Sequence, residues 1–366
     1  MISSNDSSVH RVALTEENQA DLLDIGLFLL DDPNSANMVV NPVGVAAAAG
    51  VIAEGSGDEP IIDLKSLQPA WTMWRRWAGP PTRNPKKNPV IATAAQLFVD
   101  PEFSIKPAYH EAIAGWDVLI ETGAIIQENL DEWARINTAN LIQQSGITVT
   151  PETKLVLQNA ITFAAKWQED FRQWDVIDYD FTRADGTITR VKMMCSVRHA
   201  PYTVSDGWRG VRLDYTDGEL AAFVLIPDDD TEQAPLTTLR QAVSQLCRPN
   251  ETMGRVAVEL PRFTVTSEKK LFELFDCIGL ETNTQLKAMT DPPVMLTQVM
   301  QQAIIVVDER GTVVSAVTSG GMETGVSLYT EKPIEIIANR PFYFIVGDVE
   351  TGTPLFLSHI GDPKMA

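Results

Sequence analysis

The chain has 366 residues, with 49 acidic against 29 basic side chains and a formal net charge of −20. That balance repels nucleic acid and anionic lipid, so neither is expected as a partner. An apolar share of 44% supports a substantial core, and no run of about eighteen apolar residues offers a membrane span.

The N-terminus, Met1-Ile2-Ser3-Ser4-Asn5-Asp6-Ser7-Ser8, is polar and lacks the basic-then-apolar layout of a secretion signal. A cytoplasmic protein is expected; an extracellular one is the alternative if a signal has been removed. Thr15-Glu16-Glu17 predicts a helix start, with Thr15 as cap and acids in the first turn. The apolar residues between Leu22 and Leu30 carry that helix as far as Asp32-Pro33. Asn37-Met38-Val39-Val40 predicts a short strand entering Asn41-Pro42. Gly44, Ala46, Ala47, Ala48 and Ala49 then predict a helix of small side chains that packs close to whatever lies above it, with Pro42 fitting its start.

Trp71, Trp74 and Trp77 sit at helical spacing beside Arg75 and Arg76, ahead of a Pro/Lys/Arg loop at 80–87. This pattern predicts a tryptophan face on the core with solvated arginines; a polyanion-binding helix is the competing reading. Residues 91–99 and 155–167 are nearly all apolar and predict central strands. Asn159, inside the second, needs hydrogen-bond partners or costs about 1–3 kcal/mol. Residues 129–144 predict an amphipathic helix through Leu130, Trp133, Ala134, Ile136 and Leu141. Further strands are expected at 190–194, 220–229 and 255–263, and a helix at 272–280.

The three cysteines, Cys195, Cys247 and Cys277, are an odd number in apolar or helical contexts and predict buried thiols, with no disulfide framework. The four histidines, His10, His110, His199 and His359, accompany no nucleophile motif, and no metal-ligand spacing or phosphate loop occurs. An enzyme is therefore the poorest of the functional readings, and no cofactor or metal is expected.

The most distinctive stretch follows the apolar run Ala303-Ile304-Ile305-Val306-Val307. From Thr312 to Gly321 there is no charge, no proline and no large side chain, and Thr312, Val314, Ala316 and Thr318 would share one face of a strand. An exposed loop is normally polar and rich in turn formers. This one is composed like a strand.

Glu309-Arg310-Gly311-Thr312 resembles the proximal hinge of the reactive loop in serpins, the serine protease inhibitor family. Ala338-Asn339-Arg340-Pro341-Phe342 and Thr353-Pro354-Leu355-Phe356-Leu357-Ser358-His359-Ile360-Gly361-Asp362-Pro363 look like the family's strands after the loop. Asn159-Ala160 and, at the strand's far end, Lys166-Trp167 are similar to marks of its central strand. The resemblance runs through nearly the whole chain, with a gap near 56–90. It implies an α+β serpin fold: a large central mixed β-sheet, additional β-sheets, about eight to nine helices and an exposed reactive-centre loop at about 309–331. It also implies a single domain over 1–366, a monomer, and a target serine protease as partner.

The implied mechanism is suicide inhibition, in which the cleaved loop inserts into the central sheet and traps the acyl-enzyme. The implied hinge is Glu309, Arg310, Gly311, Thr312, Val314, Ala316 and Thr318. Family spacing places the scissile bond between Gly325 and Val326. Of its neighbours, Thr324 suits an elastase- or subtilisin-like enzyme, Met322 a chymotrypsin- or elastase-like one and Glu323 a glutamyl endopeptidase; the expectation leans to elastase- or subtilisin-like enzymes. The family's shutter and breach positions become Asn41, Gly44, Asn159, Gln301 and Trp167, and the exchange of two serines and a histidine there implies a rebuilt amide cluster of Asn41, Asn159 and Gln301. A non-inhibitory binding or storage protein of the same fold is the alternative.

Overall fold

The structure, a computed structural model, describes residues 16–30, 36–57, 59–86, 88–116, 118–228, 236–248, 250–281, 285–312 and 332–364. The first half of the chain runs α1 (Glu16–Leu30), β1 (Asn37–Val40), α2 (Pro42–Ser56), α3 (Gln68–Trp74), β2 (Val90–Val99), β3 (Ser104–Ile105), α4 (Pro107–Ala112), β4 (Leu119–Thr122), α5 (Gln127–Asn137) and β5 (Leu155–Lys166). There follow β6 (Val176–Thr182), β7 (Ile188–Ser205), β8 (Trp208–Asp214), β9 (Leu220–Pro227), α6 (Leu236–Leu246), β10 (Thr252–Pro261), β11 (Phe263–Lys270) and α7 (Phe272–Cys277). The last part holds β12 (Gln285–Leu286), β13 (Thr290–Asp291), β14 (Val294–Met295), β15 (Gln298–Asp308), β16 (Gly311–Thr312), β17 (Ile334–Ile337), β18 (Phe342–Asp348) and β19 (Pro354–Ile360). Among the described residues there are seven α-helices and four short 3-10 helices, where eight to nine helices were expected.

Two sheets dominate. The nine-stranded sheet has the order β1-β19-β18-β9-β8-β7-β10-β17, with β6 added beside β7. The six-stranded sheet has the order β11-β15-β16-β5-β2-β4. It is mixed: β5 runs antiparallel to β2, whereas β2 and β4, and β15 and β5, run parallel. This is the α+β architecture with a mixed central sheet that the resemblance implied.

The sequence chemistry explains the layers. Helix α2 is capped by Asn41, whose side chain accepts from the Gly44 N–H, and begins at Pro42. It ends at Gly57 in the left-handed region, φ 81°. Its small residues are buried almost throughout, which lets the sheets lie close on both sides of it. Strand β5 is buried along its whole length up to Lys166, consistent with covered faces on both sides. Trp71, Trp74 and Trp77 do join the core, while Arg76 stacks on Trp77 at 3.8 Å and ion-pairs with Glu219. Thr15 lies outside the described residues.

Two expectations need correction. The helix predicted over 129–144 stops at Asn137. Ala139 and Asn140 take positive φ (52° and 59°), and the Thr138 hydroxyl bridges the Ala134 carbonyl and the Ile142 N–H in place of another helical turn. The three thiols are not all buried: Cys247 is, Cys195 is half-buried and Cys277 is exposed. Helix α7 turns Leu274 and Phe275 inward, and that phase carries Cys277 outward.

Candidate functional site

Strand β15 ends at Asp308, turns through Glu309 and Arg310, and returns as β16. Thr312 pairs with Val307 on one side and with Ala165 of β5 on the other; Gly311 likewise pairs with Asp308 and Lys166. Two residues at the base of the loop therefore already stand as a strand between β15 and β5. Gly311 is required there, because an added Cβ would lie 2.0 Å from the Ala165 carbonyl oxygen.

An aromatic and ionic frame fixes this turn. Trp167 is buried; its Nε1–H donates to the Asp308 carbonyl at 3.0 Å and its backbone N–H to the Arg310 carbonyl at 2.9 Å. Tyr215 stacks on Trp167, with ring centroids 4.7 Å apart and planes at 7°, and its hydroxyl pairs with the Thr312 Oγ1 at 2.7 Å. Thr312 has no exposed surface. The Phe171 N–H donates to the Glu309 carbonyl at 2.8 Å, and the Glu309 carboxylate ion-pairs with Arg262. Burial pushes the Asp308 carboxyl up to about 6, although its Oδ1 accepts the Arg310 N–H at 2.8 Å. Burial also raises the nearby Asp170, against the pull of Arg310, Lys166 and Arg198.

Below this turn the sheet is closed. β5 and β15 pair directly from Val156↔Gln298 to Ile161↔Ala303. Gln301 of β15 is tied to the start of α2: its Oε1 accepts the Asn41 N–H at 2.8 Å, and its Nε2 donates to the Asn41 carbonyl at 2.9 Å. The Asn41 side chain is used elsewhere, accepting from the Gly44 N–H and donating to the Leu355 carbonyl. The structure thus brings Asn41 and Gln301 together through the Asn41 backbone, not through an amide–amide contact. Asn159 pairs in register with Gln301, but its Oδ1 is buried without a partner. It stands over Gly44, where an added Cβ would lie 2.8 Å from Asn159 Oδ1 and 2.3 Å from Asn41 Oδ1. The longer Asn41 side chain fills the space that a side chain at 44 would need.

Val314, Ala316, Thr318, Met322, Glu323, Thr324, Gly325 and Val326 lie outside the described residues. Tyr215 and Arg262, both gripping the turn, were not singled out from the sequence. Tyr215 ends no motif and reaches Thr312 only through the fold, whereas Arg262 stood inside a stretch already matched as a strand.

A short hairpin strand is thus lodged between two strands of the six-stranded sheet, ahead of residues 313–331. The family model for Serpin (serine protease inhibitor) matches residues 28–363. The chain belongs to the serpin family. It is 25% identical over 309 residues to Serpin-Z4 of Arabidopsis thaliana, covering 75% of this chain and 77% of that one. Among solved structures it resembles the native state of the thermophilic serpin tengpin, with a TM-score of 0.80 at 20% identity over 96% of this chain and 95% of that one. It also resembles human thyroxine-binding globulin, with a TM-score of 0.75 at 16% identity over 95% and 98% of the two chains.

Two outcomes are expected from this site. Gly44→Ser should destabilise the protein by about 1–3 kcal/mol through overpacking, and Asn41→Ser in the same chain should recover part of that loss, since it relieves the contact with Asn41 but not the one with Asn159. Chemical denaturation of the two single variants and the double variant measures the coupling, and additive losses would refute it. For Asp308, the folded protein keeps a proton that the unfolded chain releases near pH 4, so the stability that proton confers is lost as pH rises from about 4 to 6. Asp308→Asn keeps the Oδ1 acceptor and removes the titration. Its stability, followed by urea denaturation from pH 4 to 7, should fall less across that window than the wild type's; an equal fall would count against it.

Proposed function

We propose that this protein is an irreversible suicide-substrate inhibitor of serine proteases. The observation that carries this reading is the placement of Gly311 and Thr312 between β5 and β15, the first two steps of a strand whose continuation is small and uncharged.

In this mechanism the protease serine hydroxyl attacks the Gly325 carbonyl. The bond to the Val326 nitrogen breaks, Val326 leaves as a new amino terminus, and Gly325 remains esterified to the protease. The freed segment then continues β16 down the sheet, parting β5 from β15. Each strand hydrogen bond gained beyond the direct β5–β15 pairs that part nets about 0.5–1.5 kcal/mol, so a surplus of roughly a dozen contributes on the order of ten. That matches the whole stability of an ordinary domain and suffices to distort an enzyme carried on the loop's end. A charge or proline on the inward face would oppose insertion, and neither occurs from Thr312 to Gly321. Val313 and Val314 are bulkier than the alanines usual in inhibitory relatives and would slow the step. Close to the proposed bond, Thr324 favours an elastase- or subtilisin-like protease, Met322 a chymotrypsin- or elastase-like one, and Glu323 a glutamyl endopeptidase.

The reading is tested by nicking the loop near Gly325 and comparing melting temperatures. An inserting loop should raise the midpoint by about 10–15 °C, since about ten kcal/mol is spread over the unfolding entropy of a chain this long. An unchanged midpoint would favour a non-inhibitory binding or storage role. Mass spectrometry of the peptide released on reaction with a protease identifies the bond.

A further inference from the structure

The last two turns of α2, residues 59–65 and Trp116 border an open cleft of about 470 Å³, a size that takes a small molecule. Its walls are fixed by the protein's own contacts. Helix α2 closes its C-terminal end at Gly57, whose N–H donates to the Ala53 carbonyl at 2.8 Å. The facing segment is tied down by the Ile61 N–H, which donates to the Ile278 carbonyl at 2.8 Å, and by Asp63, which caps the 3-10 helix Leu64–Leu67. Lys65 Nζ reaches Glu54 Oε1 at 2.7 Å and joins the two walls.

Trp116 supplies the unspent hydrogen bond. The indole is 1% exposed and its Nε1–H has no partner, although the ring lines the cleft. It lies against the bare backbone of α2 at Gly50, where an added Cβ would come within 2.3 Å of Cε2 and 2.7 Å of Nε1. Buried donors are nearly always paired, so an orphan N–H on a cleft wall marks a place for an acceptor carried by a ligand. Trp71 and Trp74 also hold unpartnered indole N–H groups, but the void beside them is about 10 Å³, room for one water at most. Of the three, Trp116 alone borders space for a larger molecule.

The rest of the wall sets the ligand's character. Ala53, Pro60, Ile62 and Leu64 offer apolar surface to a ring or a short chain. Among the lining residues three carboxylates, Glu54, Glu59 and Asp63, stand against one ammonium, Lys65. The C-terminal end of α2 adds the negative pole of its dipole. An anionic ligand is repelled there and a cation is held.

We propose that this cleft binds a small organic cation, an amine on an apolar ring, with an oxygen that accepts from Trp116 Nε1. The site stands apart from the reactive loop and from the inhibitor reading.

The test uses the isotope-labelled full chain and the indole N–H cross-peaks of its eight tryptophans. Trp116→Phe identifies the Trp116 peak by its loss; if that variant does not fold, nuclear Overhauser contacts to Gly50 identify it instead. Three probes are titrated to about 10 mM, the range in which molecules of this size bind. The amine para-methoxyphenethylamine should move the Trp116 peak saturably. The anion para-methoxyphenylacetate, with the same ring and ether oxygen, should bind at least about tenfold more weakly. Phenethylamine, which lacks the oxygen, should bind about twofold to tenfold more weakly. Ala53→Leu, which fills the cleft from a helical position, should abolish the shift and leave the remaining tryptophan peaks in place. A Trp116 peak unmoved by the methoxy amine would overturn the proposal. Equal affinity for the amine and the anion would also overturn it, as would amine binding that survives Ala53→Leu.

Discussion

Everything in this molecule turns on backbone pairing between β5 and β15. In their lower part the two strands satisfy each other directly, from Val156↔Gln298 to Ile161↔Ala303. Higher up, the two-residue strand β16 comes between them. A sheet with such a fork is complete at one end and extendable at the other. Buried peptide groups demand partners, so any strand that fits the fork adds pairing along its whole length. The pairs it gains must outweigh the direct pairs it separates, and this balance decides whether the fold rests at its lowest free energy or short of it.

The two faces of the seam are held differently. On the α2 side, Gln301 secures β15 to the Asn41 backbone, while Asn159 on β5 keeps an unpartnered oxygen. On the α5 side, Gln298 and Gln302 of β15 bond to the backbone of Thr148 and Gln144, and Gln158 of β5 accepts from the Ser145 hydroxyl in the same short stretch. β15 is therefore fastened on both faces of the sheet. Neutral amides suit such work: they bond well when paired and carry no charge to strand when the strands move apart.

Much of the architecture was legible because its signals are local. Apolar runs marked β2, β5 and β9, and the proline and small residues after Asn41 marked α2. The stretch from Thr312 to Gly321 stood out in composition, since a loop without charge or proline is chemically unusual, and its first residue does stand as a strand. What escaped depends on distance along the chain. Nothing near Tyr215 announces that its hydroxyl meets Thr312, and Gln298 is far from Thr148 in sequence. The end of α5 was misread because Leu141 continues the apolar period, whereas Thr138 and the positive φ of Ala139 and Asn140 break the helix. The expected amide cluster is not formed: Gln301 bonds to the Asn41 backbone, the Asn41 side chain is spent capping α2 and reaching Leu355, and Asn159 bonds to neither.

The stack of Trp167 on Tyr215 has an optical consequence. The indole is sealed from water, its N–H is held by the Asp308 carbonyl, and the neighbouring phenol is tied to Thr312. Any displacement of Thr312, inward or outward, alters the packing and polarity around that one ring. The chain thus carries a native fluorophore beside Thr312, placed to report a shift of that residue without an attached dye.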